Sequence, residues 1–317
     1  MFETDSIPSG WIQRLNYMDE VWVPTEFARE IFEKQGVESS KLHVVGEAVD
    51  TEYFAFSDHK NRSFESLPGD LKKLAGLSTN TFVFLFVGKF ESRKGLDILL
   101  RAYMKEFSAA DDVLLVFLTS AFHSSDDFDR KLQTILVSDE ELQQRAPSSL
   151  PPFRILTGLP QRSLKLLYTL IDILVIPSRG EGWGRPHVEA MSSGRPVIAT
   201  HWSGPTEYIN ERNGYPLRIE GLVDAEGWKG HKWAQPSEMH LREIMRHVYL
   251  NREEVLQKGK VASSDMTRRF SLNVMGNLVM KELLRVNRVI EMRSNGTSLP
   301  KVHLKLSRVG ALCFPQT

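Results

Sequence analysis

Two short loops hold the residues in this sequence that are best suited to bind a ligand. The first, at residues 88–95, places Lys89, Arg93 and Lys94 between two glycines. Glycine allows a ligand to approach the backbone closely, and three cations in one turn favour an anion. The composition of this loop is therefore that of a diphosphate site.

The second loop, at residues 178–185, carries three glycines and leads into a helix that begins near Pro186. The free N–H groups at a helix start favour an anion. Glu181 lies in the loop and Glu189 in the first turn of the helix, and carboxylates accept hydrogen bonds from neutral hydroxyl groups. Phosphate and hydroxyl groups occur together in a nucleotide sugar, which this pattern indicates as the ligand.

Both loops follow predicted buried strands. Apolar runs predict strands at 82–87 and 173–177, and each is followed by its loop and then by a helix, the pattern typical of parallel α/β sheets. Ligands of such sheets bind outside the carboxyl ends of the strands, so we expect the two loops to converge. Further predicted elements are a helix at 96–107, strands at 113–118 and 196–200, and helices at 126–137 and 186–193.

The rest of the chain is less regular. RAPSSLPPF, at residues 145–153, is predicted to be a loop, and the chain from Ser237 onward is predicted to be helical. Residues 1–50 contain a strand, a helix and a second strand, a fragment too small to cover its own sheet. We expect 51–286 to form one Rossmann-like domain with C-terminal helices and 287–317 to form a weakly ordered tail.

Composition and charge exclude several classes of protein. The 317 residues include 40 Lys plus Arg and 40 Asp plus Glu, so no overall charge favours nucleic acid or an anionic membrane. One cysteine, Cys313, excludes an internal disulfide framework. The apolar runs are too short to span a bilayer, and the acidic first residues do not resemble a secretory signal. We expect a protein of the cytoplasm or of the cytosolic face of a membrane, with any membrane contact peripheral.

Several segments resemble the family 4, or group 1, glycosyltransferases. PSRGEGWGRPHVEAMSSGRPVIAT resembles the donor-binding motif of that family, and VGKFESRKGLDILLRAY resembles its phosphate-binding segment. WSGPTEYI, NGYPL and VWVPTEFAREIFEKQGV also look like parts of it, in the right order. The resemblance covers roughly residues 11–285.

The resemblance implies a role for each matching position. Lys89 and Lys94 would hold the diphosphate, with Arg93 assisting, and Lys94 and Glu181 would be catalytic. Glu181 would contact sugar hydroxyls, and Glu189 would accept a hydrogen bond from the ribose. The remaining donor-binding positions are Gly88, Gly182, Trp183, Gly184 and Arg185.

The resemblance also implies a GT-B fold, with a Rossmann-like C-terminal domain and here a partial, N-terminally truncated acceptor-side domain. The expected activity is metal-independent transfer of a hexose with retention of configuration, without a cofactor. The acceptor would be a glycan, a lipid or a protein. The alternative is a non-catalytic nucleotide-sugar-binding or interaction protein that has lost its acceptor domain.

Two short patterns have competing interpretations. Asp127 and Asp129 form a D-x-D, which binds a metal in other glycosyltransferases, but a solvated helix start is the favoured interpretation. His187 and Glu189 match the H-x-E of zinc deaminases, but the cysteine pair that those enzymes need is absent from the sequence. Trp183 could pack against the sheet instead of facing a ligand.

Overall fold

The computed structural model describes residues 3–58, 62–120 and 127–294. The predicted tail at 287–317 lies mainly outside them, although the last helix continues to Ser294. The chain forms two compact units that are separated after Met275. The larger unit, residues 1–275, contains both ligand loops. Within the described residues, no helix is both long and apolar enough to cross a membrane.

A small layer forms the start of the larger unit. Its core is built from five buried apolar residues, Ile7, Val23, Phe32, Val37 and Leu42. The predicted strand, helix and second strand are confirmed, and the hydroxyl of Thr25 caps the helix by accepting a hydrogen bond from the amide of Ala28. The elements are α1 (Ser9–Tyr17), β1 (Val21–Val23), α2 (Glu26–Lys34) and β2 (Leu42–Val44), with β1 and β2 parallel.

A six-stranded parallel sheet forms the centre of the larger unit. Its elements are β3 (Phe82–Lys89), α3 (Leu96–Glu106), β4 (Val113–Ser120), α4 (Phe128–Val137), α5 (Glu140–Gln143), β5 (Phe153–Leu156), α6 (Gln161–Leu170), β6 (Ile173–Ile176), α7 (Arg185–Ser192), β7 (Val197–Thr200) and β8 (Tyr215–Leu217). The strand order is β5-β4-β3-β6-β7-β8, and neighbouring strands are parallel. This order is that of a Rossmann fold, in which the direction of strand addition reverses between β3 and β6.

The remaining elements follow the sheet. An antiparallel hairpin, β9 (Ile219–Asp224) and β10 (Lys232–Pro236), precedes the helices α8 (Glu238–Leu250), α9 (Arg252–Phe270) and α10 (Leu272–Ser294). The predicted helical character from Ser237 onward is confirmed, and Ser237 itself caps α8. The hairpin was not predicted, because the side chains of β9 are mostly exposed and show no alternation of apolar and polar residues.

One sequence prediction needs correction, and one further element precedes the sheet. The segment 145–153 is not entirely loop, because it contains a 3-10 turn at Pro147–Ser149 and because Phe153 begins β5. The element before the sheet is a 3-10 helix at Gly69–Leu74, and its buried Leu71 and Leu74 attach it to the core. Prolines near both segments obscure the apolar periodicity on which the prediction depends.

A buried ion pair joins the start of the central domain to the sheet. Arg62 contacts the carboxylate of Asp172 at 2.7 Å, and the same carboxylate oxygen accepts a hydrogen bond from the amide of Val83 at 2.7 Å. Because Asp172 immediately precedes β6 and Val83 lies in β3, this contact fixes the two strands that flank the reversal of strand order. The two loops that follow β3 and β6 therefore begin at a fixed distance from each other.

Candidate functional site

The two ligand loops meet at the reversal point of the sheet. The amide of Arg179, in the loop after β6, donates to the carbonyl of Arg93, in the loop after β3, at 2.6 Å. Gly95 has φ +67°, and a Cβ there would lie 1.9 Å from the carbonyl oxygen of Pro177. This close approach requires glycine. The predicted convergence of the two loops is confirmed.

Glu181 is the buried centre of the site. Its carboxylate contacts Lys94 Nζ at 2.6 Å and Arg93 Nη1 at 3.3 Å. Burial alone would raise the pKa of Glu181, but the charges of Lys94 and Arg93 outweigh it, and the pKa lies below its usual value. The carboxylate is therefore ionised at neutral pH and lies directly beside a cation of the proposed diphosphate loop.

Arg93 contacts more protein groups than the one carboxylate that Lys94 contacts. Its guanidinium binds the carboxylate of Glu91 at 2.8 Å and the carbonyl oxygen of Gly180 at 2.7 Å, in addition to Glu181. A guanidinium with this many protein partners holds the two loops together. The geometry favours a positioning role for Arg93 over the direct phosphate contact expected from the resemblance.

A cleft of about 1140 Å³ lies beside the first loop. Lys89, at the exposed end of β3, lines it together with Gly88 and Lys94. Glu181 and Gly182 line a second cavity of about 200 Å³, which shares Trp11 with the cleft. Four of the predicted site residues, which include Arg93, thus face the larger space, and two face the smaller one.

The start of α7 supplies the remaining predicted positions. Gly184 has φ +100°, and a Cβ there would lie 2.5 Å from Nδ1 of His187, so the turn into the helix requires glycine. Arg185 is exposed and lies 3.6 Å from the carboxylate of Glu189. Glu189 also accepts a hydrogen bond from the hydroxyl of Tyr168 at 3.1 Å, and burial raises its pKa above the usual value.

The Trp183 side chain is buried and does not reach the cleft. Its ring packs against those of Tyr208 and Phe270, with centroids 5.1 and 5.2 Å apart. The Tyr208 hydroxyl donates to the carbonyl oxygen of Trp183. The side chain therefore packs in the interior, as the alternative interpretation holds, although the two rings that it contacts lie outside the sheet. A contribution to ligand binding would come from the backbone at this position.

Ser203 supports the second loop from outside the two ligand loops. It combines φ +63° with ψ −150°, a conformation that is normally restricted to glycine and costs about 1–3 kcal/mol. Its hydroxyl oxygen accepts a hydrogen bond from the amide of Glu181 at 3.0 Å. A strained residue thus holds the backbone of the central carboxylate. No pattern in the sequence indicates such a backbone conformation, although WSGP lies in a segment that carries the family resemblance.

Comparison with known proteins identifies the domain that contains these loops. Residues 81–226 match the family model described as glycosyl transferases, group 1. The chain carries a group 1 glycosyltransferase domain.

Curated relatives of the glycosyltransferase domain are distant. D-inositol 3-phosphate glycosyltransferase 1 of Catenulispora acidiphila is 27% identical over 187 residues, which are 56% of this chain and 39% of the relative. Spore coat protein SA of Bacillus subtilis is 28% identical over 135 residues, which are 42% of this chain and 34% of the relative. The chain thus spans well under half the length of these two relatives.

Solved structures show the same fold. The Anabaena protein Alr3699/HepE, solved with UDP and glucose, superposes with a TM-score of 0.66 at 17% identity, covering 88% of this chain and 68% of that one. The C-terminal domain of the Francisella tularensis group 1 glycosyltransferase LpcC gives a TM-score of 0.52 at 19% identity, covering 71% of this chain and 99% of that domain. The fold is therefore that of GT-B glycosyltransferases, largely of their C-terminal domain.

The two short patterns with competing interpretations are resolved structurally. Asp127 caps α4, since its carboxylate accepts a hydrogen bond from the amide of Arg130 at 3.1 Å, as favoured from the sequence. Within residues 3–58, 62–120 and 127–294, no cluster of His, Cys, Asp and Glu side chains has the arrangement of a metal site. His187 is fully buried beneath Gly184, and neither of its ring nitrogens has a hydrogen-bond partner.

The burial of His187 predicts a pH-dependent stability of the glycosyltransferase domain. Burial lowers the pKa of this imidazole to about 4, whereas an unfolded histidine titrates near 6.5. As the pH falls from 6.5 to 4, the unfolded state gains a proton that the folded state does not, so the free energy of unfolding decreases. We expect the wild type to lose about 3 kcal/mol more than His187→Leu over this range, measured by urea unfolding at each pH. Parallel curves for the two proteins would show that His187 titrates normally.

Proposed function

We propose that this protein binds a nucleoside-diphosphate sugar in the cleft at the reversal point of the sheet and transfers its hexose to an acceptor. The observation that carries this proposal is the ion pair between partly buried Lys94 and buried Glu181, which joins a cationic turn to a carboxylate beside the N-terminus of α7. The expected transfer proceeds without a metal and retains the anomeric configuration, as the family resemblance implies.

The proposed roles follow from the position of each group. Lys89 and Lys94 bind the diphosphate, and Gly88 lets it approach the backbone. The amides at residues 182–185 lie at the start of α7, where the helix favours negative charge. During transfer, negative charge develops on the leaving diphosphate, and Lys94, already fixed by Glu181, stabilises that charge without reorganisation.

The two glutamates have different proposed partners. Glu181 accepts hydrogen bonds from hydroxyls of the transferred sugar, because its carboxylate lies beside the cations that hold the leaving group. Glu189 accepts a hydrogen bond from the ribose. Its carboxylate has neutral Tyr168 and exposed Arg185 as neighbours, so that it is less strongly engaged by cations than Glu181.

The domain assignment remains part of the proposal. Residues 51–286 form the donor-binding domain, and residues 1–50 form the end of an acceptor-side domain and its linker.

A second candidate function is nucleotide-sugar binding without transfer. It is favoured by the placement of the proposed binding residues, since Lys89, Lys94, Glu181 and Glu189 all lie in the matched domain and serve the donor alone.

The first prediction concerns diphosphate binding by Lys94. Lys94→Ala removes one charge-assisted hydrogen bond and should weaken the affinity for a nucleoside diphosphate by about 10- to 150-fold. Calorimetric titration of the wild type with UDP, GDP and ADP identifies the preferred nucleotide for the test. Lys89→Ala should weaken binding of the same nucleotide while leaving the Lys94–Glu181 pair intact. Lys260→Ala, on the exposed face of α9, is the matched control. Equal affinities in wild type and Lys94→Ala would remove Lys94 from the site.

The second prediction separates the two glutamates. Glu189→Gln should weaken binding of the nucleoside diphosphate itself, because the ribose belongs to both ligands. Glu181→Gln should leave diphosphate affinity near that of the wild type and weaken the intact nucleotide sugar, because only that ligand carries the hexose. Titration of each variant with both ligands checks this pattern. If each variant lost affinity for the nucleoside diphosphate and for the nucleotide sugar in the same proportion, the two glutamates would not have distinct roles.

The third prediction distinguishes transfer from binding alone. The purified chain is incubated with labelled nucleotide sugars and with glycan, lipid and protein acceptors, and the anomeric configuration of any product is determined by NMR. We expect a product that retains the donor configuration and disappears in Lys94→Ala. Tight donor binding with no transfer to any acceptor class would favour the second candidate function.

A further inference from the structure

The segment at residues 3–7 lies across the edge of the donor cleft, outside the matched domain. The carbonyl oxygen of Glu3 approaches the second ligand loop so closely that a Cβ on Gly180 would lie 2.0 Å from it. Glu3 and Thr4 both line the cleft of about 1140 Å³. The segment therefore forms part of the wall of the cleft beside the cationic turn.

This segment is fixed on both sides of Thr4. Asp5 and Lys232 exchange two hydrogen bonds, in which Asp5 N donates to the Lys232 carbonyl at 2.9 Å and Lys232 N donates to the Asp5 carboxylate at 2.7 Å. The Thr4 hydroxyl lies 3.0 Å from Nδ1 of His231. Ile7 is buried in the core of the N-terminal layer. A segment with these attachments holds the Glu3 side chain in a defined place.

The Glu3 carboxylate shares a cation with Glu181. Its Oε1 lies 3.4 Å from Arg93 Nη1, the same nitrogen that lies 3.3 Å from Glu181 Oε2. Burial raises the pKa of Glu3, Arg93 opposes that shift, and the nearby charge of Glu181 adds to it. The two carboxylates thus flank one guanidinium at the wall of the donor cleft.

Contact with Arg93 does not by itself account for the position of the Glu3 carboxylate at the cleft. Arg93 already binds Glu91 at 2.8 Å and the Gly180 carbonyl at 2.7 Å, both shorter than its 3.4 Å contact with Glu3. The Glu3 side chain also keeps 34% of its surface exposed, compared with 7% for Glu181. A carboxylate has about four lone-pair positions, so Glu3 retains acceptor capacity toward the cleft.

We infer that Glu3 is a second sugar-binding carboxylate of the donor site, which accepts hydrogen bonds from hydroxyl groups of the transferred hexose beside Glu181. This inference rests on the proposed function. Two carboxylates at different positions around the sugar would accept hydrogen bonds from two different sets of its hydroxyl groups. Glu3 would then contribute to the choice between hexose epimers as well as to affinity.

The test compares Glu3→Gln with the wild type on two kinds of ligand. The probes are UDP, GDP and ADP and the glucose, galactose and mannose conjugates of the preferred nucleotide, titrated by calorimetry. We expect Glu3→Gln to bind the nucleoside diphosphate within about twofold of the wild type. We expect it to bind the preferred nucleotide sugar about tenfold or more weakly, because a charge-assisted hydrogen bond is lost, and to discriminate less between epimers.

Glu91→Gln is the matched control. It removes another carboxylate partner of Arg93, whose side chain is 13% exposed and which lies at the shorter distance of 2.8 Å. A role exerted only through Arg93 would therefore weaken binding of the nucleotide sugar in both variants. We expect the ratio of sugar to diphosphate affinity to change in Glu3→Gln alone. Thermal unfolding of each variant establishes that it is folded.

The outcomes separate the two proposals. Normal diphosphate binding with unchanged nucleotide-sugar affinity in Glu3→Gln overturns this inference and leaves the proposed function intact. The same holds if Glu91→Gln reproduces the effect of Glu3→Gln. If the wild-type chain binds none of the nucleotides, the proposed function fails, and this inference fails with it.

Discussion

A buried carboxylate must have cations beside it, and this requirement organises the proposed donor cleft. Glu181 comes from the loop after β6, whereas Lys94 comes from the loop after β3, and their 2.6 Å contact exists because those strands are neighbours. Moving either charge out of water alone would cost several kcal/mol. The pair is therefore favourable only with the strand order in which addition reverses between β3 and β6. The same strand order that builds the domain also assembles the charges of its site.

The loops around this pair are held by close packing of backbone on backbone. Gly95 lies against Pro177, and a Cβ on Gly204 would lie 2.5 Å from the carbonyl oxygen of Gly182. Ser203 adds a strained conformation, which persists because its hydroxyl bonds the amide of Glu181 and the surrounding residues fix its backbone. Side chains of ordinary size would push these segments apart. The position of the carboxylate thus depends on residues that carry no charge.

Some of this arrangement could be predicted from sequence, and some could not. The strands β3 and β6 are continuous apolar runs, and α7 has Pro186 in its first turn and Gly194 after its last, so local signals suffice. Lys94 and Glu181 lie in the loops directly after these two predicted strands, so their positions along the chain already indicate a common site. The exposed hairpin β9–β10 has no such periodicity. Glu3 and Ser203 acquire their places only through tertiary contacts with Arg93 and Glu181, which no local pattern encodes.

The three cations of the first loop look equivalent in the sequence but have different electrostatic environments. Arg93 is engaged by Glu91, Glu181 and a backbone carbonyl, whereas Lys89 lies at the exposed end of its strand. Lys94 differs from both, because its ammonium group pairs with a carboxylate that is itself a proposed sugar ligand. In the proposed complex a diphosphate binds the N–H groups of Lys94 that are not donated to Glu181, because an ammonium group has three donors and Glu181 Oε1 takes one. The complete nucleotide sugar then contacts both members of one ion pair, with its phosphate on Lys94 and its hexose on Glu181, whereas the diphosphate alone contacts only Lys94.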